Sequence, residues 1–267
     1  GMGPVRVGNQ AYEQIQNDSY GAVVLSATQH FFDQRLMNQG NTEQFHELER
    51  LGERAVELFD QPDAGLWEYR GRAQVHTYSA VICWCAADRL AKVARRLGIE
   101  ERPTYWQEHA DRMHGVIYEA AWNDDRGAFT EGFDNTHLYA SLLTLHSLNF
   151  VAADDPRFLA TIDAIEKELK RGSHIFRYGQ ADDFGVPENA FNICTFWYIE
   201  ALASTGRKAE ARELFEAMLE CRNPLGLLSE DLDPNTHELW GNFPQTYSMV
   251  GIINSARILS ETWEAAV

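Results

Sequence analysis

Apolar residues recur every three or four positions in nine stretches of the chain. This spacing places them on one face of an α-helix. The stretches are Tyr20–Met37, Phe45–Phe59, Tyr78–Leu97, Trp106–Trp122, Leu138–Phe150, Phe158–Leu169, Phe191–Ala203, Ala209–Leu219 and Tyr247–Trp263. No stretch shows convincing alternation of apolar and polar residues, which would indicate a strand. The pattern therefore predicts an all-α fold of nine helices.

Four of the predicted connections share a second pattern: DAGLWE at 63–68, DRGAFTE at 125–131, DDFGVPE at 182–188 and NPLGLLSE at 223–230. Each begins with an acidic or amide residue, continues through a glycine and an apolar residue, and ends in a glutamate. The repetition predicts stacked helical hairpins with these loops, and their glutamates, on a common face. Glycine and acidic residues are common in loops, so chance recurrence remains the alternative.

Composition favours one large domain over residues 1–267. The chain is 45% hydrophobic, and no Pro/Ser-rich linker or low-complexity run interrupts it. With 40 acidic and 23 basic residues, its net charge of -17 opposes binding to nucleic acid or anionic membranes. The apolar runs are too short to cross a bilayer and no signal-peptide pattern opens the chain, which predicts a cytoplasmic protein.

The cysteines and histidines predict neither a metal site nor a cofactor. Cys83, Cys85, Cys194 and Cys221 lack CxxC or Cys/His ligand spacing, so free buried thiols are expected, with a disulfide or metal ligand as the alternative. His76 follows the first repeated loop, where we expect a helix-start residue rather than a catalytic one.

Two of the loop glutamates are candidates for proton transfer. Glu68 adjoins Trp67, and desolvation by the indole would raise its pKa and make it a proton donor. Glu230 lies in LLSED beside Asp231, where a more hydrated carboxylate would stay ionised and take a proton from water.

Carbohydrate is a plausible substrate for such a pair of carboxylates. Sugar rings pack their C–H faces on aromatic rings, and both loops are rich in aromatic residues: Trp67, Tyr69, Trp240, Phe243 and Tyr247. Carboxyl groups about 6.5–9.5 Å apart would invert the anomeric carbon, and about 5–5.5 Å would imply a covalent intermediate. Core packing of the same aromatic residues is the alternative.

Several long segments, in order, resemble glycoside hydrolase family 15, which contains glucoamylases, glucodextranases and bacterial trehalases. The most similar is GLWEYRGRAQVHTYSAVICWCAADRLAKVA. The others are PVRVGNQAYEQIQNDSYG, DDPRFLATIDAIEKEL, FRYGQADDFGVPENAFNICTFWYIEALASTGRKAEARELFEAML and GLLSEDLDPNTHELWGNFPQTYSMVGIINSA. The resemblance covers essentially all 267 residues. It implies an (α/α)6 toroid that hydrolyses α-glucosidic bonds from non-reducing ends with inversion.

The resemblance also assigns roles to residues. It implies that Glu68 in LWE is the general acid and Glu230 in LLSED the base that activates water. Arg177 and Tyr178 in FRYGQ match a pair that borders the substrate, and an Arg fork can hold two hydroxyls. The alternative for Arg177 is an ion pair with Asp182 or Asp183 at the surface.

Five further residues match substrate-binding positions less specifically. Asp18 matches a polar position near the bottom of the pocket, although an ordinary helix carboxylate fits nearly as well. Phe191 falls near an aromatic residue on the acceptor side, with core packing as the alternative. Tyr247 stands near the base, while Trp67 and Arg70 flank the acid.

The sequence departs from the family in its helix count. The family barrel has twelve helices, so nine imply that about the first three, which carry an Arg-Asp motif for the terminal glucose, are missing. The cut edges would expose apolar helix faces, which predicts a homodimer or association with a missing amino-terminal portion.

The leading functional hypothesis is therefore glucoamylase-like release of glucose from neutral α-linked glucosides. Trehalase is the nearest enzymatic alternative, and a catalytically weak or inactive sugar-binding remnant is another. A helical-repeat scaffold fits LWEYRG and LLSED poorly.

Overall fold

Helices dominate residues 10–182 and 185–260, which the computed structural model describes. The helices are α1 (Asp18–Phe32), α2 (Thr42–Leu58), α3 (Thr77–Leu97), α4 (Arg102–Ala120), α5 (Pro156–Leu169), α6 (Asn192–Ser204), α7 (Lys208–Glu220) and α8 (Thr246–Leu259). The strands have two residues each: β1 (Trp122–Asn123), β2 (Ala128–Phe129), β3 (Lys170–Arg171), β4 (His174–Ile175), β5 (Ala190–Phe191), β6 (Asp231–Leu232) and β7 (Leu239–Trp240). The predicted all-α class is confirmed.

Eight of the nine predicted stretches form α-helices, and the exception is Leu138–Phe150. It forms a 3-10 helix at Ala140–Thr144 followed by turns. The Thr144 hydroxyl donates to the Ser141 carbonyl (2.6 Å) and the Ser147 hydroxyl to the Thr144 carbonyl (2.9 Å). These hydroxyls compete for carbonyls that α-helical bonds would use. The last predicted helix extends to residue 263, and its end lies outside the described residues.

The contacts divide the described residues into two compact units. The amino-terminal unit contains residues 10–123 and 130–136, and the carboxy-terminal unit contains residues 124–129, 137–182 and 185–260. The single domain over 1–267 stays a prediction.

The amino-terminal unit is built around α3, which contacts α1, α2 and α4. Nearly every side chain of α3 is buried. At Gly21 the helices α1 and α3 approach so closely that a Cβ atom would lie 2.0 Å from the Ile82 carbonyl oxygen. Gly21 is therefore required by the packing of two backbones. A capping box between Asn41 and Gln44 begins α2.

The carboxy-terminal unit is built around α6, which contacts the 3-10 helix, α7 and α8. Strands β5, β6 and β7 form an antiparallel sheet in which Phe191 pairs with Asp231, and Asp231 with Trp240. Strands β3 and β4 form a separate antiparallel pair. The three-stranded sheet carries the segment around Glu230.

All four cysteines are buried and none forms a disulfide, as predicted. Among the described residues, no helix has the length and apolar character needed to span a bilayer. The compartment stays a prediction.

Helix α8 exposes a stripe of apolar side chains. Tyr247, Val250 and Ile253 are 61%, 42% and 65% exposed, and their spacing of three residues puts them on one side of the helix. Exposed apolar faces were predicted, but the dimer and the association with a further portion stay predictions.

Candidate active site

The four repeated loops share a backbone feature but differ in the burial of their glutamates. The loop glycines all have positive φ: Gly65, Gly127, Gly185 and Gly226. Glu131 is buried and Glu230 half-buried, whereas Glu68 and Glu188 are exposed. The loops therefore share a glycine with positive φ and put different carboxylates into different environments.

Glu68 is held through its backbone. Its φ is 55°, in the left-handed region, which non-glycine residues occupy with strain. Its carbonyl accepts a hydrogen bond from Gln14 Nε2 (2.6 Å), and its amide donates to the Gly65 carbonyl (3.1 Å). The Ala64 amide donates to the Ile15 carbonyl (2.8 Å). The segment at 14–15 thus fixes the loop while the Glu68 side chain stays in solvent.

The predicted desolvation of Glu68 by Trp67 is wrong for the described chain. Trp67 is half-buried and Glu68 is exposed. Neighbours in sequence do not share surroundings here, and Glu68 also has a left-handed backbone conformation. Tyr69 is the buried aromatic residue of this loop, and its ring stacks on His76 at a centroid distance of 6.1 Å.

Asp63, the first residue of the repeated loop, is a buried anchor. Its carboxylate accepts hydrogen bonds from the Asn17 amide (2.9 Å), the Gly65 amide (3.1 Å) and the Ser79 hydroxyl (2.8 Å). These bonds connect the start of α1, the loop and the first turn of α3. Asp63 therefore fixes the position of the loop that carries Glu68.

Asp18 lies beside this anchor. Burial, reinforced by the negative charge of Asp63, raises the pKa of its carboxyl to about 6. An ordinary helix carboxylate at the surface would have no such shift. A buried carboxyl group with a perturbed pKa is a candidate functional group, and the proposed role of Asp18 in binding stays a prediction.

His76 forms a buried hydrogen-bond network with Glu131. Its Nδ1 lies 2.8 Å from Glu131 Oε2, and both side chains are almost fully buried. Glu131 also accepts hydrogen bonds from Asn135 Nδ2 (2.7 Å) and from Gln74 Nε2. The expectation that His76 is a structural residue at the start of α3 agrees with these contacts.

A cavity of about 560 Å³ opens beside the Glu68 loop. Arg70 lines it, together with Tyr69, Asp63 and Gln14. The Arg72 guanidinium lies over the Tyr69 ring, 4.6 Å from its centroid. Arg70 therefore faces a space that is large enough for a small molecule.

Glu230 is held directly through its carboxylate. Oε2 accepts hydrogen bonds from the amide and the side-chain nitrogen of Asn242, both at 3.0 Å. Oε1 accepts a longer bond from Gln245 Nε2 (3.4 Å). These three donors fix the orientation of the Glu230 carboxylate. The arrangement suits a proton acceptor.

The turn after β7 makes room for this carboxylate. Gly241 has a φ of 78°, and a Cβ atom on it would lie 2.7 Å from Glu230 Oε2. Glycine is thus required both by the backbone conformation and by the approach of Glu230.

The carboxyl group of Asp231 has different surroundings from that of the adjacent Glu230. Burial raises the pKa of its carboxyl to about 7, Arg177 opposes this shift, and the negative charge of Glu230 reinforces it. Directly paired residues in a sheet point to the same face, so Phe191, Asp231 and Trp240 form one row across the three strands. The segment therefore contains one hydrogen-bonded carboxylate and one largely desolvated carboxyl group.

Arg177 and Tyr178 share a partner in Asp182. The guanidinium Nη2 lies 3.2 Å from Asp182 Oδ2, and the Tyr178 hydroxyl donates to the same oxygen at 2.6 Å. Asp182 is the ion-pair partner that the sequence left open, although its carboxylate is mostly buried. Asp183 lies outside the described residues. This pairing orients the Arg177 fork, whose role in binding stays a prediction.

Three aromatic side chains near Glu230 are exposed. Trp240, Phe243 and Tyr247 are 48%, 50% and 61% exposed, whereas Phe191 is half-buried. Tyr247 lies in the first turn of α8, which is tied to the Glu230 strand by a bond from the Ser248 hydroxyl to the Ser229 carbonyl (2.7 Å). These rings are available for stacking and do not serve as core packing.

Sequence reasoning missed the residues that hold both loops. Asp63, Glu131 and Gln14 support the Glu68 loop, and Asn242 and Gly241 support Glu230. Asp63 and Glu131 belong to the repeated loop pattern, which was the available signal. The sequence did not show that one would anchor a loop and the other pair with His76.

The chain belongs to the glycosyl hydrolases family 15, whose profile matches residues 1–257. It is 34% identical over 265 residues to a trehalase of Thermoplasma volcanium, covering 98% of this chain and 42% of the trehalase. It is 36% identical over 260 residues to a trehalase of Mycobacterium tuberculosis, covering 94% of this chain and 37% of that protein. The chain thus spans about two fifths of the length of these relatives.

Solved structures share the fold. A glycosidase in complex with glucose has a TM-score of 0.78 at 18% identity, covering 95% of this chain and 69% of that one. A bacterial glucoamylase in complex with acarbose has a TM-score of 0.70 at 15% identity, covering 92% and 41%. The fold predicted from the family resemblance is therefore found among glycosidases.

Proposed function

We propose that this chain carries the two catalytic carboxylates of an α-glucoside hydrolase and that its substrate is trehalose. The observation that carries the proposal is the environment of Glu230, whose carboxylate accepts two hydrogen bonds from Asn242 in a segment that also carries exposed aromatic rings. Trehalose replaces the glucoamylase-like substrate as the leading candidate because the relatives at 34% and 36% identity are trehalases.

In the proposed reaction Glu230 takes a proton from water while the water oxygen bonds to the anomeric carbon. Glu68 donates a proton to the departing glycosidic oxygen, so that charge and atoms balance. The role of Glu68 follows from its position in LWE and not from desolvation, because its side chain is exposed. Trp240 and Tyr247 offer rings on which a glucose unit can stack.

The test measures glucose released by the purified chain from trehalose and maltose at equal concentrations. We expect faster release from trehalose, with a loss of about 10²–10⁴-fold in Glu68→Gln and in Glu230→Gln. Glu188→Gln is the matched control, since Glu188 ends an equivalent loop and is also exposed. Full activity of either catalytic variant would disprove the assigned roles, and release from maltose alone would disprove the substrate.

The stereochemistry gives a second readout. Inversion at one anomeric carbon of the α,α-linked disaccharide releases one β-glucose and one α-glucose. Proton NMR in the first minutes should therefore show equal amounts of the two anomers. Release of α-glucose alone would indicate a covalent intermediate and would contradict Glu230 as a base acting on water.

A further inference from the structure

Three potential metal ligands converge in the carboxy-terminal unit. His174, Cys221 and His237 each offer one ligand atom, and these atoms all lie within 4.8 Å of one another. His174 belongs to β4, Cys221 follows the last residue of α7, and His237 lies in the loop between β6 and β7. They are far apart in sequence, which is why no short ligand motif indicates them.

A buried ring nitrogen of His174 lacks a hydrogen-bond partner among the described residues. His174 is only 3% exposed, and this nitrogen is Nδ1. Its ring meets that of His237 nearly at right angles, with centroids 5.9 Å apart. Buried polar atoms in proteins nearly always have a partner. Two imidazoles next to a thiol, with no carboxylate among the three ligands, match the donors preferred by borderline-soft ions.

The backbone directs His237 toward this cluster at a conformational cost. Its φ is 60°, and its amide donates to the Asp233 carbonyl at 2.9 Å. The Asp233 carboxylate accepts bonds from the amides of Asn235 (2.7 Å) and Thr236 (3.1 Å), which closes the loop. Because His237 is exposed, solvent reaches the cluster from this side.

We propose that His174, Cys221 and His237 bind a Zn²⁺ ion, with water as the fourth ligand. Zn²⁺ takes thiolate and imidazole ligands in tetrahedral sites, and three protein ligands with one water is an established arrangement. Binding displaces the thiol proton of Cys221, whose Sγ donates to the Ala217 carbonyl at 3.4 Å in the described chain. The proton leaves to solvent and no redox step is involved.

The ion would fasten the β6–β7 hairpin. Glu230 directly precedes β6, and Asn242, which holds its carboxylate, follows β7 closely. The metal would tie the tip of this hairpin, through His237, to β4 and to the end of α7. Metal binding is therefore expected to stabilise the unit, whatever the substrate of the protein.

The first test is a titration of Zn²⁺ alone into the metal-stripped, tag-free chain by calorimetry with a competing chelator. We expect one ion per chain and a rise in the melting temperature. His237→Asn should weaken binding by at least about tenfold, since even the loss of an outer-shell partner costs that much. His137→Asn, an exposed histidine outside the cluster, is the matched control and should bind as the unmodified chain does. Equal affinity in all three proteins would overturn the proposal.

The second test replaces Zn²⁺ with Co²⁺ and records the absorption spectrum. A thiolate ligand gives a near-ultraviolet charge-transfer band, which should appear in the unmodified chain and in His137→Asn. Cys221→Ser should lose this band while its far-ultraviolet circular dichroism shows that it is folded. A band that persists in Cys221→Ser, or one that is missing from the unmodified chain, would refute the thiolate ligand.

Discussion

The two glutamates assigned to catalysis lie in loops that are stabilised in different ways. The Glu68 loop rests on buried, hydrogen-bonded side chains, Asp63 and the His76–Glu131 pair, while the Glu68 carboxylate itself is exposed. The carboxylate of Glu230 is instead held directly by two hydrogen bonds from Asn242. The first loop fixes its backbone and leaves the acid free to move, and the second fixes the reacting group itself. Substitutions beneath the first loop should therefore act on folding, and those beside Glu230 on activity.

The largest expected effect comes from breaking the buried pair. Glu131→Ala leaves the buried Nδ1 of His76 without its hydrogen-bond partner, which should lower the free energy of unfolding by about 1–3 kcal/mol. Urea denaturation followed by circular dichroism measures this. Glu57→Ala removes the exposed partner of Arg54 and should cause no measurable change. A stability close to that of the unmodified chain would show that the network does not support the loop.

A smaller effect on stability, but a selective effect on activity, is expected for Gly241→Ala. Alanine in the left-handed region costs about 1–2 kcal/mol, and its Cβ would also displace the Glu230 carboxylate. Gly127→Ala imposes a similar backbone strain, with no atom within 4 Å of the added Cβ.

Comparing these two glycine variants separates the effect of backbone strain from the effect of displacing the Glu230 carboxylate. Both should lose similar stability in urea, but only Gly241→Ala should reduce kcat for glucose release, by about 10²-fold, because misplacing a catalytic group by about 1 Å has that cost. Equal kcat values in the two variants would mean that the position of Glu230 does not limit the reaction.

The sequence predicted those features that depend on local pattern. Apolar spacing located α3 almost to the residue, since Tyr78–Leu97 was expected and Thr77–Leu97 is observed. The same spacing gave a wrong prediction at Leu138–Phe150, where the hydroxyls of Thr144 and Ser147 donate to backbone carbonyls. Apolar spacing does not reveal such competing bonds.

The supports of the candidate site could not be predicted in the same way. His76 and Glu131 are 55 positions apart, and neither belongs to a motif that joins them. Glu68 is exposed and has a positive φ, and the adjacent Trp67 reveals neither feature. Glu230 was identified from LLSED, but its partner Asn242 is brought to it by the β6–β7 pairing.

A separate expected effect concerns the dependence of stability on pH. The pKa of Asp231 is raised from 3.8 to about 7, mainly by burial, so between these values the folded protein binds more protons than the unfolded chain. Stability from this group is therefore present at low pH and falls as the pH rises from about 4 to 7.

Asp231→Asn removes this contribution. Its unfolding free energy, relative to that of the unmodified chain, should rise across the same pH window in urea titrations. Asp60→Asn, at an exposed aspartate, is the control and should leave the dependence unchanged. A constant difference between Asp231→Asn and the unmodified chain from pH 4 to 7 would contradict the raised pKa.

Because all four thiols are buried, their reactivity toward an alkylating reagent reports the local opening of the unit in which each one lies. Cys83 and Cys85 lie inside α3 of one unit, and Cys194 lies inside α6 of the other. Alkylating reagents reach a shielded sulfur only when the surrounding helices separate. Mass spectrometry of a timed labelling reaction would then measure, in one sample, the rate at which each unit opens enough to expose its cysteines.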